Sequence, residues 1–380
     1  MEAIYLDHAA TSPMAKGVAE AMIPAYEGII GNASSVHSFG RKARQQLDAS
    51  RQALAASIGA NEKELIFTSG GTEADNMALV GVAEANQAKG KHIITTTQEH
   101  HAALHTAERL EKQGFRITYL PVNEQGLVSA RDVEAALTDD TILVSIMYVN
   151  NETGVIQPIS EIGSSVKDHQ AYFHTDAVQA YGLVDIDVHA QHIDLLTASA
   201  HKIGGPKGIG FLYASEGVSM NPIQSGGEQE RKRRPGTENI PAAVGFEMAS
   251  AIAMETKAAR NQEYQAYKQI LTDTFSEAGI AFDINGDPEK TVSTIINIRF
   301  PGANVEALLT NFDLSGVAAS SGSACTAGSV EPSHVLSAMF GPDSPVTTNS
   351  IRFSFGLANT SENVKEAADR IARIVQRLTN

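Results

Sequence analysis

A chain of 380 residues that is 42% hydrophobic and 19% charged, with 31 glycines, is globular rather than disordered or fibrous, and its length predicts two or three domains. Its net charge of −15 argues against direct nucleic-acid binding, which needs a basic face to displace counterions. The single cysteine, Cys325, excludes an internal disulfide and a multi-cysteine metal site, and no apolar run approaches the ~20 residues that span a bilayer.

The first eight residues, Met1 to His8, lack the charged and apolar regions of a signal peptide, so the expected location is cytoplasmic. From about residue 60 to 215, β-branched runs at 65–67, 92–95, 117–120, 142–146 and 171–174 alternate with amphipathic stretches. That alternation predicts crossover units on a mainly parallel sheet, an α/β domain. Residues 242–278, rich in Ala, Glu, Gln and Lys, predict a long helix or helix pair with a domain boundary inside it. Strands near 293–298 and 351–354, a helix near 305–309 and a terminal helix over 361–378 predict a small α+β domain. The expected division is a large domain over 15–255 and a small one formed by 1–14 and 256–380.

Ser69-Gly70-Gly71-Thr72-Glu73-Ala74-Asp75-Asn76 follows a predicted strand and opens an alanine-rich helix. Backbone N–H groups at such a helix start hold a phosphate well, and Thr72 adds a hydroxyl; read alone, the motif is equally a structural turn. Glu99-His100-His101 follows the strand ending near Thr97. His100 is a candidate both to stack on a cofactor ring and to move protons; His101, His105, His37 and His8 carry no assignment. Val149-Asn150-Asn151-Glu152-Thr153-Gly154 ends another strand, where an amide can reach a ring oxygen or a substrate carboxylate, and Gln179 is placed near the same edge.

Lys202, in Ser199-Ala200-His201-Lys202-Ile203-Gly204-Gly205-Pro206, ends a short apolar run before a glycine-rich turn. A lysine there has little packing reason to exist, and desolvation frees its amine to form a Schiff base with an aldehyde cofactor. Pyridoxal phosphate is the candidate, with Asp176 as the acid that keeps its ring nitrogen protonated. Arg352 is a charge within an apolar strand; it either binds a substrate carboxylate or makes an internal salt bridge. The small-residue stretch from Ser320 to Ser329 surrounds Cys325 and predicts a mobile loop with a reactive thiol, against the alternative of a buried small hydrophobe. The basic run Arg231-Lys232-Arg233-Arg234 is either a solvated loop or an approach to a neighbouring subunit's phosphate, with Thr237 as a donor.

Taken together, these motifs resemble the cysteine desulfurases, among the class V enzymes of the fold type I pyridoxal-phosphate group. The resemblance runs from Tyr5-Leu6-Asp7-His8-Ala9-Ala10-Thr11 to Arg352. It includes Gly70 to Asn76, Glu99-His100, Asn150-Asn151-Glu152, His174-Thr175-Asp176-Ala177-Val178-Gln179, His201-Lys202, Gly322-Ser323-Ala324-Cys325 and Ser333-His334-Val335-Leu336. It implies a large domain on a mainly parallel sheet of the seven-stranded type and a smaller α+β domain. It implies that Lys202 holds the cofactor, Asp176 pairs with the ring nitrogen and His100 stacks on the ring. Gln179 and Asn151 would lie on the ring-oxygen side, and Gly71, Thr72, Ser199 and His201 at the phosphate, with Thr237 reaching in from the other subunit of a homodimer. Arg352 and Asn151 would bind the substrate, L-cysteine, and Cys325 would take its sulfur as a persulfide. The Cys325 segment resembles that of the branch that passes sulfur to partner proteins, an iron-sulfur scaffold or a tRNA-thiolating enzyme. A selenocysteine lyase-like enzyme and a noncatalytic sulfur-transfer scaffold are the alternatives.

Overall fold

Strands whose side chains are buried on both faces need helices above and below, and five strands of the largest sheet, LIFT, HIITT, TILVS, LLTAS and GFLYA, have every residue buried. The computed structural model describes residues 2–322 and 332–379. Among these, β1 (Ile4–Tyr5), α1 (Val18–Gly28) and α2 (Ser38–Ala56) precede the main sheet. Its strands are β2 (Leu65–Thr68), β3 (His92–Thr96), β4 (Arg116–Leu120), β5 (Thr141–Ser145), β6 (Tyr172–Asp176), β7 (Leu195–Ser199) and β8 (Gly210–Ala214). The helices α3 (Gly71–Asn86), α4 (His101–Lys112), α5 (Ala130–Ala136) and α6 (Ile159–Val166) lie between them in the chain.

The seven strands take the order β2-β8-β7-β6-β5-β3-β4. Only β8 runs against its neighbours, pairing antiparallel with β2 and β7. All the other carboxyl ends therefore point the same way. The chain moves outward from β3 to β4, then restarts on the other side with β5, so the switch point lies between β3 and β5. Crevices at such points are where open α/β sheets bind ligands. Sequence periodicity located five of the seven strands; β7 reads as an apolar run, and β8, entered through Gly210, carries no alternation.

After α7 (Gln229–Lys232), the 38-residue helix α8 (Ile240–Glu277) passes from one core to another. Phe246, Ala249 and Ala253 pack with the main sheet, whereas Tyr264, Tyr267, Leu271 and Phe275 pack in a second cluster. That second cluster covers a three-stranded antiparallel sheet of order β12-β10-β9, built from β9 (Asp283–Asn285), β10 (Ile295–Arg299) and β12 (Ser350–Ser354). Between β10 and β12 lie α9 (Val305–Leu314), β11 (Val317–Ala318) and α10 (His334–Phe340); α11 (Ser361–Thr379) closes the fold. β1 pairs with β11, so the start of the chain belongs to this second layer.

β2 is an edge strand, and an edge leaves backbone groups unpaired. Here Arg51 Nη1 donates to the Leu65 carbonyl at 2.9 Å, and the Phe67 N–H donates to Glu230 at 2.9 Å. Arg51 and Glu230 are themselves joined by a bidentate pair at 2.5 and 2.7 Å, and both side chains are almost wholly buried. This pair holds the strand that delivers the Gly70-Gly71-Thr72 turn. Arg51→Ala strands the Glu230 carboxylate without its partner, so it is expected to destabilise the fold by about 3–5 kcal/mol in urea denaturation. A loss under about 1 kcal/mol, the range of an exposed pair, would contradict this role.

Candidate active site

The carboxyl ends of β2, β3, β5, β6 and β7 open into one cavity of about 460 Å³. Its lining includes Gly71, Thr72, His100, Asn151, Asp176, Gln179, Ser199, His201, Lys202 and Arg352. Every cofactor- or substrate-binding residue expected from the sequence is thus in one place, with one exception. Thr237 is exposed on the segment between α7 and α8 and does not line this cavity. Cys325 lies outside the described residues.

At one end of the cavity Gly71 opens α3, a 16-residue helix whose first N–H groups have no intrahelical acceptor. A Cβ at Gly71 would come 2.7 Å from Val178 Cγ2, and the neighbouring Gly70 has φ +155°, so this turn requires its glycines. Ser199, Thr72 and His201 sit at the same end, together with Thr11 and Lys207. His201 Nδ1 lies 3.1 Å from Thr11 Oγ1, and burial pushes its pKa down to about 4, so the ring is neutral. Thr11 and Lys207 escaped sequence reasoning as site residues; the position of Lys207 in the glycine-rich turn after Lys202 was the available signal.

Part of the wall is acidic and buried. Asp176 ends β6 and accepts the Val178 N–H at 2.9 Å; burial raises its pKa, while His100 and Lys202 oppose the shift. Asp75, from the first turns of α3, is fully buried, and its Oδ1 has no hydrogen-bond partner. Burial and the nearby Asp176 push its pKa well up. His174 Nε2 is 3.7 Å away, but that ring, bonded to Ser145 Oγ at 2.9 Å and Thr197 Oγ1 at 3.1 Å, has its pKa driven down to about 3 by burial. A neutral His174 leaves Asp75 without a counterion. Glu99, held by Thr96 Oγ1 at 2.6 Å and the Met147 N–H at 3.0 Å, is pushed up to about 8 by burial. Three buried carboxyl groups behind one wall favour a ligand that brings a positive charge or a proton.

Lys202 lines the same cavity, on the turn that follows β7. Its Nζ donates to the carbonyls of Ala9 at 2.5 Å and Ala10 at 2.9 Å, and no carboxylate is in salt-bridge range of it among the described residues. Burial, reinforced by the charge of Arg352, lowers its pKa to about 8, so a useful fraction of the amine is unprotonated near neutrality. His100 caps α4: its Nδ1 accepts the Ala102 N–H at 3.2 Å. A neutral ring that accepts at Nδ1 carries its proton on Nε2. Burial also keeps this ring's pKa low.

The two adjacent asparagines separate cleanly. Asn150 Oδ1 accepts from Glu152 N–H and Thr153 N–H at 2.9 and 3.0 Å, so it builds the turn. Asn151 faces the cavity with its Oδ1 buried and unpartnered. Gln179 donates to the Ala9 carbonyl at 2.9 Å. Arg352 has both of the alternatives open to it in sequence terms: it does make an internal ion pair, Nη2 to Asp7 at 2.7 Å, and it donates to the Asn151 carbonyl at 2.9 Å. Its Nε, however, is buried without a partner. In the basic run, Arg234 pairs with Glu73 at 2.9 Å, beside the helix start, and Lys232 pairs with Glu228 at the surface.

The cavity brings together a helix start, buried acids and a desolvated amine, a set of groups suited to the chemistry of an enzyme acting on a zwitterionic or phosphorylated ligand. The aminotransferase class-V family model matches residues 4–366. A putative cysteine desulfurase IscS 1 of Bacillus subtilis is 60% identical over the full length of both chains. Cysteine desulfurase IscS of Methanosarcina thermophila is 46% identical over all of this chain and 93% of its own. Among solved structures, a NifS-like protein superposes with a TM-score of 0.92 at 33% identity, covering 99% of this chain and 100% of its own. A structure described as SspA in complex with cysteine has a TM-score of 0.81 at 35% identity, covering 93% and 98%. The chain belongs to the aminotransferase class-V family and, within it, to the cysteine desulfurases. The selenocysteine lyase and scaffold alternatives are not favoured.

The anion-binding end can be tested without a cofactor. Inorganic phosphate is expected to raise the melting temperature of the cofactor-free parent by mass action. In Gly71→Ala, whose methyl group collides with Val178 and so displaces the turn, the same additions should leave the melting temperature unchanged; an equal rise in both proteins would place the anion elsewhere.

Proposed function

We propose that the cavity holds pyridoxal 5′-phosphate and that the enzyme moves sulfur from L-cysteine to Cys325, releasing L-alanine. The observation that carries this reading is the Lys202 amine, desolvated and without a carboxylate partner, in one cavity with a helix start and a buried acid. The residues present fit that cofactor: Gly71, Thr72, Ser199 and His201 would hold its phosphate, Asp176 its ring nitrogen, and Lys202 its aldehyde carbon. His100 would cover one ring face, with Asn151 and Gln179 toward the ring oxygen. When bound, the group supplies an electron sink for bonds at the substrate's α-carbon.

The chain's own residues then have separable tasks. Arg352 Nε and the Asn151 amide bind the substrate carboxylate, and the Asp7 pair orients the guanidinium for that contact. Lys202, titrating near neutrality, takes and returns a proton at the substrate, with the His100 Nε2 proton available in the same cavity. The Cys325 thiolate attacks the substrate sulfur. A carbon–sulfur bond breaks and a sulfur–sulfur bond forms; the electron pair stays with the substrate carbon, which takes up a proton. Cysteine plus the thiol thus yields alanine plus a Cys325 persulfide, with no external oxidant. The relative seen with cysteine supports this substrate.

The terminal sulfur would pass to a protein acceptor, an iron-sulfur scaffold or a tRNA-thiolating enzyme. We take the enzyme as a cytoplasmic homodimer in which exposed Thr237 serves the other subunit's phosphate site; no helix among the described residues is long and apolar enough to cross a membrane. Residues 15–255 would form the cofactor-carrying unit, and 1–14 with 256–380 the smaller one.

With L-cysteine and a reductant, the parent should release sulfide and alanine in equal yield, and Cys325→Ser should lose both while keeping the cofactor absorbance. Alanine formed by the variant at the parent's rate would remove Cys325 from the reaction. The Lys202 amine also sets a pH profile. Because only the neutral amine attacks an aldehyde, cofactor uptake by the cofactor-free protein should speed up about tenfold per pH unit on the acid side and level off near pH 8. A rate still climbing at pH 10, as for an ordinary lysine, would contradict the assignment.

A further inference from the structure

Glu152 is 1% exposed, lines the cavity and has no part in the reaction just described. Its carboxyl group meets two residues, one just after β11 and one capping α10, that bracket Cys325 in sequence. On one side, Ser333 Oγ donates to Glu152 Oε2 at 2.5 Å. The same Ser333 oxygen accepts the Leu336 N–H at 3.0 Å and so caps α10. On the other side is Gly322, with φ +94° and its N–H bonded to Ser320 Oγ at 3.0 Å. A Cβ there would stand 2.6 Å from Glu152 Oε2, so the glycine backbone lies directly against the carboxyl group.

Glu152 is itself rigidly held. Its N–H donates to Asn150 Oδ1 at 2.9 Å, and its carbonyl accepts from Asn297 Nδ2 on β10 at 3.2 Å. The two flanks are anchored as well: Ser320 exchanges backbone hydrogen bonds with Arg352, and His334 Nε2 lies 2.9 Å from the Glu99 carbonyl. The helix cap at Ser333 uses only the oxygen's lone pair; the hydroxyl proton is free for Glu152, so capping alone does not account for a carboxyl group buried at this point.

We propose that Glu152 is a positioning residue for sulfur transfer, its carboxyl group bonded to Ser333 and packed against Gly322, the described residues on either side of the segment that carries Cys325. The inference rests on Cys325 being the sulfur acceptor. A nucleophile on a tether with fixed ends has a far higher effective concentration at the substrate than one whose ends drift. The contact therefore acts on the transfer step and not on substrate binding.

Cys325 is the only thiol in the chain, so its alkylation by iodoacetamide reports on this segment without any turnover. The test compares holoenzyme of the parent, Glu152→Ala and Glu152→Gln. In Glu152→Ala, kcat for alanine formation should fall at least about tenfold with KM for L-cysteine within about twofold, and the alkylation rate should change by at least about threefold. Glu152→Gln, which keeps an acceptor for Ser333, should stay within about threefold of the parent in both readings. Gly322→Ala, which drives a methyl group into the carboxyl, should reproduce the Glu152→Ala pattern and serves if that variant does not fold. Parent-like kcat and alkylation in these variants, or a raised KM at unchanged kcat, overturns the proposal. If Cys325→Ser still makes alanine at full rate, the sulfur-acceptor reading fails by itself, and the alkylation rates still decide whether Glu152 holds the two ends.

Discussion

A mainly parallel sheet covered on both faces can offer polar chemistry only at the ends of its strands, because everywhere else its side chains must be apolar or satisfied. The rest of this molecule follows from that constraint. With β8 alone reversed, the carboxyl ends of β2, β3, β5, β6 and β7 converge, and each contributes one chemical element: a helix start, an imidazole, an amide, an acid and an amine. The edge strand β2 would be the weak member of this set. The buried Arg51–Glu230 pair occupies its free backbone groups and keeps the Gly70-Gly71-Thr72 turn in place.

Burial then does the electrostatic work. Asp75, Asp176 and Glu99 are all displaced upward because water cannot solvate their charges, and the Lys202 amine is displaced downward for the same reason. Each shift favours the uncharged form, upward for the acids and downward for the amine, and Glu99 and Lys202 are both brought to about 8. His174 contributes by staying neutral, since a cation there would compensate Asp75 and weaken the wall's demand for a positively charged ligand atom.

The second layer supplies what the large sheet cannot. Arg352 reaches the cavity from β12, Asp7 and the Ala9 and Ala10 carbonyls come from the start of the chain, and Glu152 meets Gly322 and Ser333 across the seam. Helix α8 makes this geometry rigid by packing its first half in one core and its second half in the other. Arg352 and Lys202, which line the same cavity from the two layers, are thereby set at a fixed separation.

Much of this was legible in sequence. Alternating strand and helix patterns announce the sheet, and Lys202, Asp176, His100 and the Gly70-Gly71-Thr72 turn stand out because each is a costly residue type in its local context. The strands at 195–199 and 210–214 did not declare themselves, since central strands buried on both faces show no alternation and β8 owes its place to its neighbours. Nor could spacing separate Asn150, which shapes a turn, from Asn151, which faces the cavity, or decide between the two fates of Arg352. The amino-acid sequence by itself determined the fold class and the chemistry on offer, because periodicity and residue type are local properties. Only the tertiary structure decided that Asp75 joins the acidic wall, that Asp7 pairs with Arg352 and that Glu152 touches both flanks of the Cys325 segment. Those contacts join residues up to hundreds of positions apart, and burial, which sets their charge states, exists only once the layers have packed.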